Sequence, residues 1–199
     1  MSLKRLFIGL SFSNKFANDL EPWIKKIKKT ADKKETDLSW TPPDNYHVTL
    51  VFLGQTEESE IASITEKMQA VAEKHAPFKL KLRGLDGFPS LMQARVLYLD
   101  VQRSQNILNL QGDLEQALQA VDRHEAGYVP HLTIARLRNP KSCRDLVSPF
   151  VHIDLGKQEV CEIVLFSSQM NGNFVSYEKI KQIQLGGNES LGWAQIQQP

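Results

Sequence analysis

The sequence predicts an α+β domain made by internal duplication, and three observations carry that expectation. Short β-branched and aromatic runs alternate with stretches of helical period. A strand opening on His-x-Thr occurs twice, at His47-Val48-Thr49 and His131-Leu132-Thr133, 84 residues apart. Arg-led apolar strands begin at Arg5 and Arg95, 90 residues apart, so the elements recur in near register.

Taken in order, residues 5–12 are short and apolar and run into Ser13-Asn14, a strand followed by a helix cap. The helix is expected over roughly 14–30, with Phe16, Leu20, Trp23, Ile24 and Ile27 on one stripe and Lys25, Lys26, Lys28 and Lys29 on the wet side. After the turn Thr41-Pro42-Pro43-Asp44, the run from His47 to Gly54 has the content of a buried strand that Gly54 ends. Residues 57–75 give a second helix, striped by Ile61, Ile64, Met68, Val71 and Ala72, with Glu57, Glu58 and Glu60 at the positive end of its dipole. Phe78 to Leu85 alternates as a half-exposed strand.

The second half repeats this order. Arg95 to Leu99 reads as a strand, and 104–122 as a helix capped by Ser104 with Ile107, Leu108, Leu110, Leu114, Leu118 and Val121 inward. His131 to Arg138 is another strand, and 160–167 and 174–185 form a hairpin about a turn at 170–173. Residues 1–187 are expected as one duplicated domain, with halves near 1–90 and 91–187 and a loose tail at 188–199.

Composition bounds the partners. Lys and Arg number 24 against 23 Asp and Glu, so the net charge of +1 supplies no global pull towards nucleic acid or membrane. An anionic ligand must be recognised locally. Cys143 and Cys161 form no CxxC pair in a chain too long to need a disulfide framework, and read as free thiols of a reducing compartment. No stretch matches a signal peptide or a membrane span, so cytoplasmic residence is expected, with the chain acting as a monomer.

In a strand, side chains alternate, so His47 and Thr49 share one face while Val48, Leu50 and Phe52 share the other. The polar pair is expected in a cleft and the apolar trio against helices; His131 and Thr133 repeat the arrangement. With five His and seven Thr in 199 residues, random placement gives about 0.2 such pairs. Two histidines facing each other near neutrality can act as general base and general acid, which suits in-line displacement at phosphorus with threonine hydroxyls on the non-bridging oxygens. There is no HExxH and no clustered His/Asp/Glu set, so neither metal nor cofactor is expected. His75 is read as a helix C-terminal cap, and His124 and His152 as loop residues.

At these residues the sequence resembles the 2H phosphoesterases, named for paired His-x-Ser/Thr-x motifs, and within them the bacterial RNA 2′,3′-cyclic phosphodiesterases of LigT type. The likeness takes in Arg5-Leu-Phe-Ile8, Trp40 through Asn45-Tyr-His47-Val-Thr-Leu-Val-Phe-Leu-Gly54, Gly87-Phe-Pro89, Arg95-Val-Leu-Tyr-Leu99 and Pro130-His-Leu-Thr-Ile-Ala-Arg136. It implies a bilobal α+β fold, with two antiparallel sheets facing a central cleft and helices outside. It implies hydrolysis of an RNA or nucleoside 2′,3′-cyclic phosphate to a 2′-phosphate, with His47 as acid on O3′ and His131 as base on water. The residues themselves do not separate those two roles.

The resemblance also makes Arg136, five residues after the second histidine, a phosphate ligand beside Thr49 and Thr133. Strict alternation puts Arg136 on the opposite face from His131, so this role requires a bulge. Phe7 shares parity with Arg5 and Gly9, away from Leu6, Ile8 and Leu10, and is a candidate for stacking on a base as well as for plain packing. RNA ligation by the reverse reaction, giving 2′,5′ linkages, and non-catalytic binding of RNA ends are the alternative functions.

Overall fold

Alternation along the first strand decides which face of the sheet meets the helices. In β1 (Leu3–Ser11), Leu6, Ile8 and Leu10 enter the main core, while Phe7 joins a separate cluster with Val164 and Phe166 on the other face. The computed structural model describes residues 2–120, 127–171 and 174–186. Val121 and the predicted helix end, His124, the centre of the 170–173 turn and the 188–199 tail lie outside these residues.

The strand is followed by α1 (Asn14–Lys33), capped by Ser13, whose side chain accepts from the Phe16 amide. Phe16, Leu20, Ile24, Ile27 and Ala31 are its buried stripe, and the four lysines at 25, 26, 28 and 29 are exposed. Next come β2 (Leu38–Trp40), β3 (His47–Glu57), α2 (Ile61–Ala72), β4 (Phe78–Phe88), β5 (Ala94–Val101) and α3 (Gln105–Leu118). The chain continues through β6 (His131–Lys141), the one-turn α4 (Arg144–Val147), β7 (Asp154–Val160), β8 (Glu162–Asn171) and β9 (Phe174–Gln184).

Three local expectations change. Gly54 does not end its strand: at φ +76° it sits inside β3, where the pairing with β1 slips by one residue between Phe52 and Gly54, a bulge that a left-handed glycine permits. Ser104 precedes α3 but makes no cap bond, and its buried Oγ has no partner among the described residues. His75 caps nothing with its ring; its Nε2 meets Asp113 of α3 at 2.8 Å.

All paired strands are antiparallel, in the order β7-β4-β5-β6-β3-β1-β8-β9, with β2 attached to β6. The fold is α+β with two lobes: β3, β1, β8 and β9 in one, β6, β5, β4 and β7 in the other. Their junction is a single paired position, Val48 with Leu132. Each lobe takes strands from the other half of the chain. β4 lies with the second His-x-Thr strand, and β8 and β9 with the first, so the lobes in space are not residues 1–90 and 91–187. α2 packs on α3 and against β8 and β9, α3 reaches β3, and α1 touches α4. No helix among the described residues is long and apolar enough to cross a membrane.

Gly9 is a point of close approach in this sheet. A Cβ built there would stand 2.8 Å from the Val48 carbonyl oxygen and 3.5 Å from the Phe166 ring. Gly9→Ala should therefore destabilise the protein by about 1–3 kcal/mol through backbone displacement, read as a lower urea midpoint at unchanged slope. An unchanged midpoint would show that the strands can part there without cost.

Candidate active site

The first histidine lies at the start of β3 and the second at the start of β6, and the two strands run antiparallel about the Val48–Leu132 pair. Continuing that pairing by one residue each way sets His47 across from Thr133 and Thr49 across from His131. All four side chains are half-buried, while Val48, Leu50, Leu132 and Ile134 are buried on the helix side. The two motifs thus meet as one constellation around a local twofold. The direction of the strands is fixed from outside the motifs as well. The Tyr128 hydroxyl donates to the Thr49 carbonyl at 2.9 Å, and the Thr41 amide donates to the Ile134 carbonyl at 2.9 Å.

Both imidazoles are held in the same way. His47 Nδ1 lies 2.8 Å from the Asn45 carbonyl oxygen, and His131 Nδ1 lies 2.8 Å from that of Val129. A carbonyl only accepts, so each Nδ1 carries the donated proton and Nε2 is the reactive nitrogen of the neutral ring. Neither threonine hydroxyl has a hydrogen-bond partner among the described residues.

Aromatic rings wall both histidines. Around His47 stand Phe7 at 4.9 Å, Tyr177 at 4.8 Å edge-on and Phe166 at 5.9 Å between ring centres. Around His131 stand Phe88 at 4.9 Å and Tyr98 at 5.3 Å, themselves stacked at 4.2 Å. These walls have an electrostatic effect. Desolvation by its neighbours pushes the His47 pKa down to about 4, against the Asn45 carbonyl, which favours the cation. Positive charge on His131 and Arg136 pushes the same way, which places both in electrical range of His47.

Strand irregularities decide the remaining members. Pairing of β6 with β5 slips by one residue between Thr133 and Ala135, and Ile134 and Ala135 are buried in succession. This is the bulge that Arg136 needs: parity switches, and Arg136 stands exposed on the side of His131 and Thr133. β3 carries the same device. Its pairing with β1 slips between Thr49 and Val51, Leu50 and Val51 are both buried, and Phe52 emerges 56% exposed with its ring 6.1 Å from Phe7. The expected apolar trio is therefore Val48, Leu50 and Val51, and Phe52 faces the cleft.

Phe7 needs correction as a base-stacking candidate. It is 3% exposed, with one face stacked on Phe166 at 4.9 Å and its edges against His47 and Tyr177, so no face is open to a base. It is a wall of the His47 pocket. Phe166 and Tyr177 lie outside both motifs and carry no sequence pattern of their own. Phe88 and Tyr98 fall within runs that carried the resemblance, without a signal of contact to His131.

Beside His47 the cleft deepens into a cavity of about 210 Å³ lined by Ser11, Asn14, Asp44, Tyr177 and Lys179, among others. Among the described residues no three His, Cys, Asp or Glu side chains converge as metal ligands. His152 lies in the turn before β7 and lines a separate open groove with Arg83.

A family model described as the 2′-5′ RNA ligase superfamily matches residues 16–170. The RNA 2′,3′-cyclic phosphodiesterase of Aquifex aeolicus is 30% identical over 193 residues, 94% of this chain and 100% of that protein. The RNA 2′,3′-cyclic phosphodiesterase of Bacillus subtilis is 32% identical over 135 residues, 65% of this chain and 69% of its own length. Among solved structures, TT0787 of Thermus thermophilus superposes with a TM-score of 0.74 at 23% identity, covering 92% of this chain and 98% of that one. Escherichia coli LigT complexed with 3′-AMP gives 0.74 at 20% identity, covering 92% and 99%. At those identities the two structures speak for the fold.

The depressed His47 pKa has a consequence for stability. The folded value of about 4 lies below the ordinary 6.5, so between these values the unfolded chain binds more protons than the folded one. The His47 contribution to stability is fully present above about pH 6.5 and is lost as pH falls towards 4. Denaturation of the parent and of His47→Gln at pH 7 and pH 5 should show a larger acid-side loss in the parent. Equal losses would show that His47 titrates normally.

Proposed function

The chain belongs to the 2′-5′ RNA ligase superfamily, and on that premise we propose that it hydrolyses 2′,3′-cyclic phosphate ends of RNA to 2′-phosphates, with His47 and His131 as an acid–base couple. The observation that carries this reading is the matched pair of imidazoles, each with Nδ1 tied to the carbonyl two residues before it, meeting across the Val48–Leu132 junction.

The reaction follows from that geometry. A water oxygen attacks phosphorus while its proton passes to Nε2 of His131, the P–O3′ bond breaks, and Nε2 of His47 gives its proton to O3′. The products are a 2′-phosphate and a 3′-hydroxyl. Thr49 and Thr133 donate their hydroxyl hydrogens to the non-bridging oxygens, and Arg136 adds a charge-assisted bond to the same anion. The acid role requires His47 to be protonated, which its walls oppose in the empty cleft. A phosphodiester anion seated between the two rings supplies the opposite charge that favours the imidazolium. The substrate thus helps to load its own acid.

The same groups run the same displacement with an RNA 5′-hydroxyl in place of water: its oxygen bonds to phosphorus as the P–O3′ bond breaks, which leaves a 2′,5′ linkage and a 3′-hydroxyl, and this is how 2′,5′ ligation enters this reading. The partner is an RNA end or a small cyclic nucleotide. All members of the constellation come from one chain, and Cys143 and Cys161 are free thiols, which supports action as a monomer in a reducing cytoplasm. The chemistry assigned here needs no resident metal.

The test is to incubate the protein, in EDTA, with a short RNA ending in a 2′,3′-cyclic phosphate and to identify the product. The parent should give the 2′-phosphate; His47→Ala and His131→Ala should each lose about 100- to 10,000-fold in rate. Loss of activity on chelation, or full activity in either variant, would overturn the mechanism. Arg136→Met should lower kcat/KM by about 100-fold while leaving the folded state intact. A change of less than about twofold would remove Arg136 from the anion site.

A further inference from the structure

On the His131 side of the cleft a row of cross-strand partners crosses the second lobe. Asp100 of β5 is paired with His131, Arg83 of β4 with Asp100, and Asp154 of β7 with Arg83. Paired residues share a face of the sheet, so the row carries the cleft face outward from His131. It runs into an open groove of about 520 Å³ lined by Lys81, Arg83, Asp86, Asp100, Val151 and Asp154, among others, a size within the range of small-molecule sites. The charges there are already matched: Arg83 Nε meets Asp100 at 2.9 Å, and Lys81 Nζ meets Asp154 at 2.9 Å. Asp86 is a third carboxylate, so even a protonated His152 leaves no net positive charge in the groove. Val151, 40% exposed, adds an apolar side. Such a lining suits a neutral ligand with several polar groups and offers a phosphate no net attraction.

In-line displacement puts the attacking oxygen opposite the leaving O3′, so the nucleophile stands at Nε2 of His131. Water needs no room beyond that point. An alcohol carries a substituent, which must extend away from phosphorus, over β5 and β4. The groove lies about 5–10 Å from the His131 strand, one to two strand spacings, which is the reach of a nucleoside from its 5′-oxygen to its base. The first nucleoside of an RNA that ends in a 5′-hydroxyl has no phosphate on that oxygen, and it matches a groove without net positive charge. We propose that this groove seats the 5′-terminal nucleoside of an attacking RNA and is the acceptor site of 2′,5′ joining. In that step O5′ gives its proton to His131 and bonds to phosphorus, the P–O3′ bond breaks, and His47 protonates O3′. The inference rests on the phosphodiesterase reading with His131 as the base, and adds a site that hydrolysis does not use.

The test supplies adenosine 2′,3′-cyclic phosphate as donor and cytidine or methanol as acceptor, and measures the ratio of transfer product to adenosine 2′-phosphate. In the parent the cytidine ratio should saturate with cytidine concentration, whereas the methanol ratio should rise in proportion, because methanol has no nucleoside to seat. Val151→Arg and Val151→Glu both fill the groove, with opposite charge. Each should lower the cytidine ratio about tenfold and leave hydrolysis and the methanol ratio unchanged. A cytidine ratio that never saturates, or that either variant keeps, overturns the acceptor site while hydrolysis continues. So does a parent that hydrolyses the donor and forms no cytidine product. A parent that leaves the donor closed overturns the phosphodiesterase reading and this inference with it.

Discussion

A single paired position, Val48 with Leu132, holds the two lobes of the sheet together, and the chemistry depends on it. Were the pairing extended, the two strands would lie flat and the sheet would be continuous, with no cleft between the histidines. Were it absent, nothing in the sheet would fix the distance between the two lobes. One contact between otherwise splayed strands does both jobs. It brings each histidine opposite the threonine of the other motif and leaves a gap above them. The bond from the Tyr128 hydroxyl to the Thr49 carbonyl secures the same region from the side of the second lobe.

Around that contact the molecule sets hydrophobic packing against charge. Phe7, Phe166 and Tyr177 fix the His47 ring by contact on several sides, and the same contacts strip water from the imidazolium. An anion arriving in the cleft relieves that penalty. The His47 ring is thus closely packed, and its surroundings favour one class of ligand. Asymmetry enters five residues downstream of each histidine, where one lobe offers Arg136 and the other Phe52.

Much of this is legible in the chain. His47, Thr49, His131 and Thr133 announce themselves because period-two alternation inside an apolar run leaves few explanations for two polar residues on one face. The helices α1 and α2 follow from their stripes, and the recurrence of like strands from the spacing of Arg5, Arg95 and the two motifs. Alternation also misleads. It puts Phe52 among the helices, because a bulge is a property of the pairing between strands and has no signature in either strand alone. The same blindness makes Arg136 depend on resemblance. Alternation gives the face of Phe7 but not its burial, which is set by Phe166 and Tyr177 from strands more than 150 residues away. β2 and α4 are too short to show a period, and β7, Asp-Leu-Gly-Lys-Gln-Glu-Val, has only two apolar residues and no alternation between them. The exchange of β4 with β8 and β9 between lobes is a matter of topology that no local pattern encodes.

If His47 and His131 act on one substrate as acid and base, both must show in the dependence of kcat/KM on pH. The parent should give a bell, with His47→Ala removing one limb and His131→Ala removing the other. A variant of either histidine that keeps both limbs would contradict it, because the lost residue would then not be one of the two groups that move a proton.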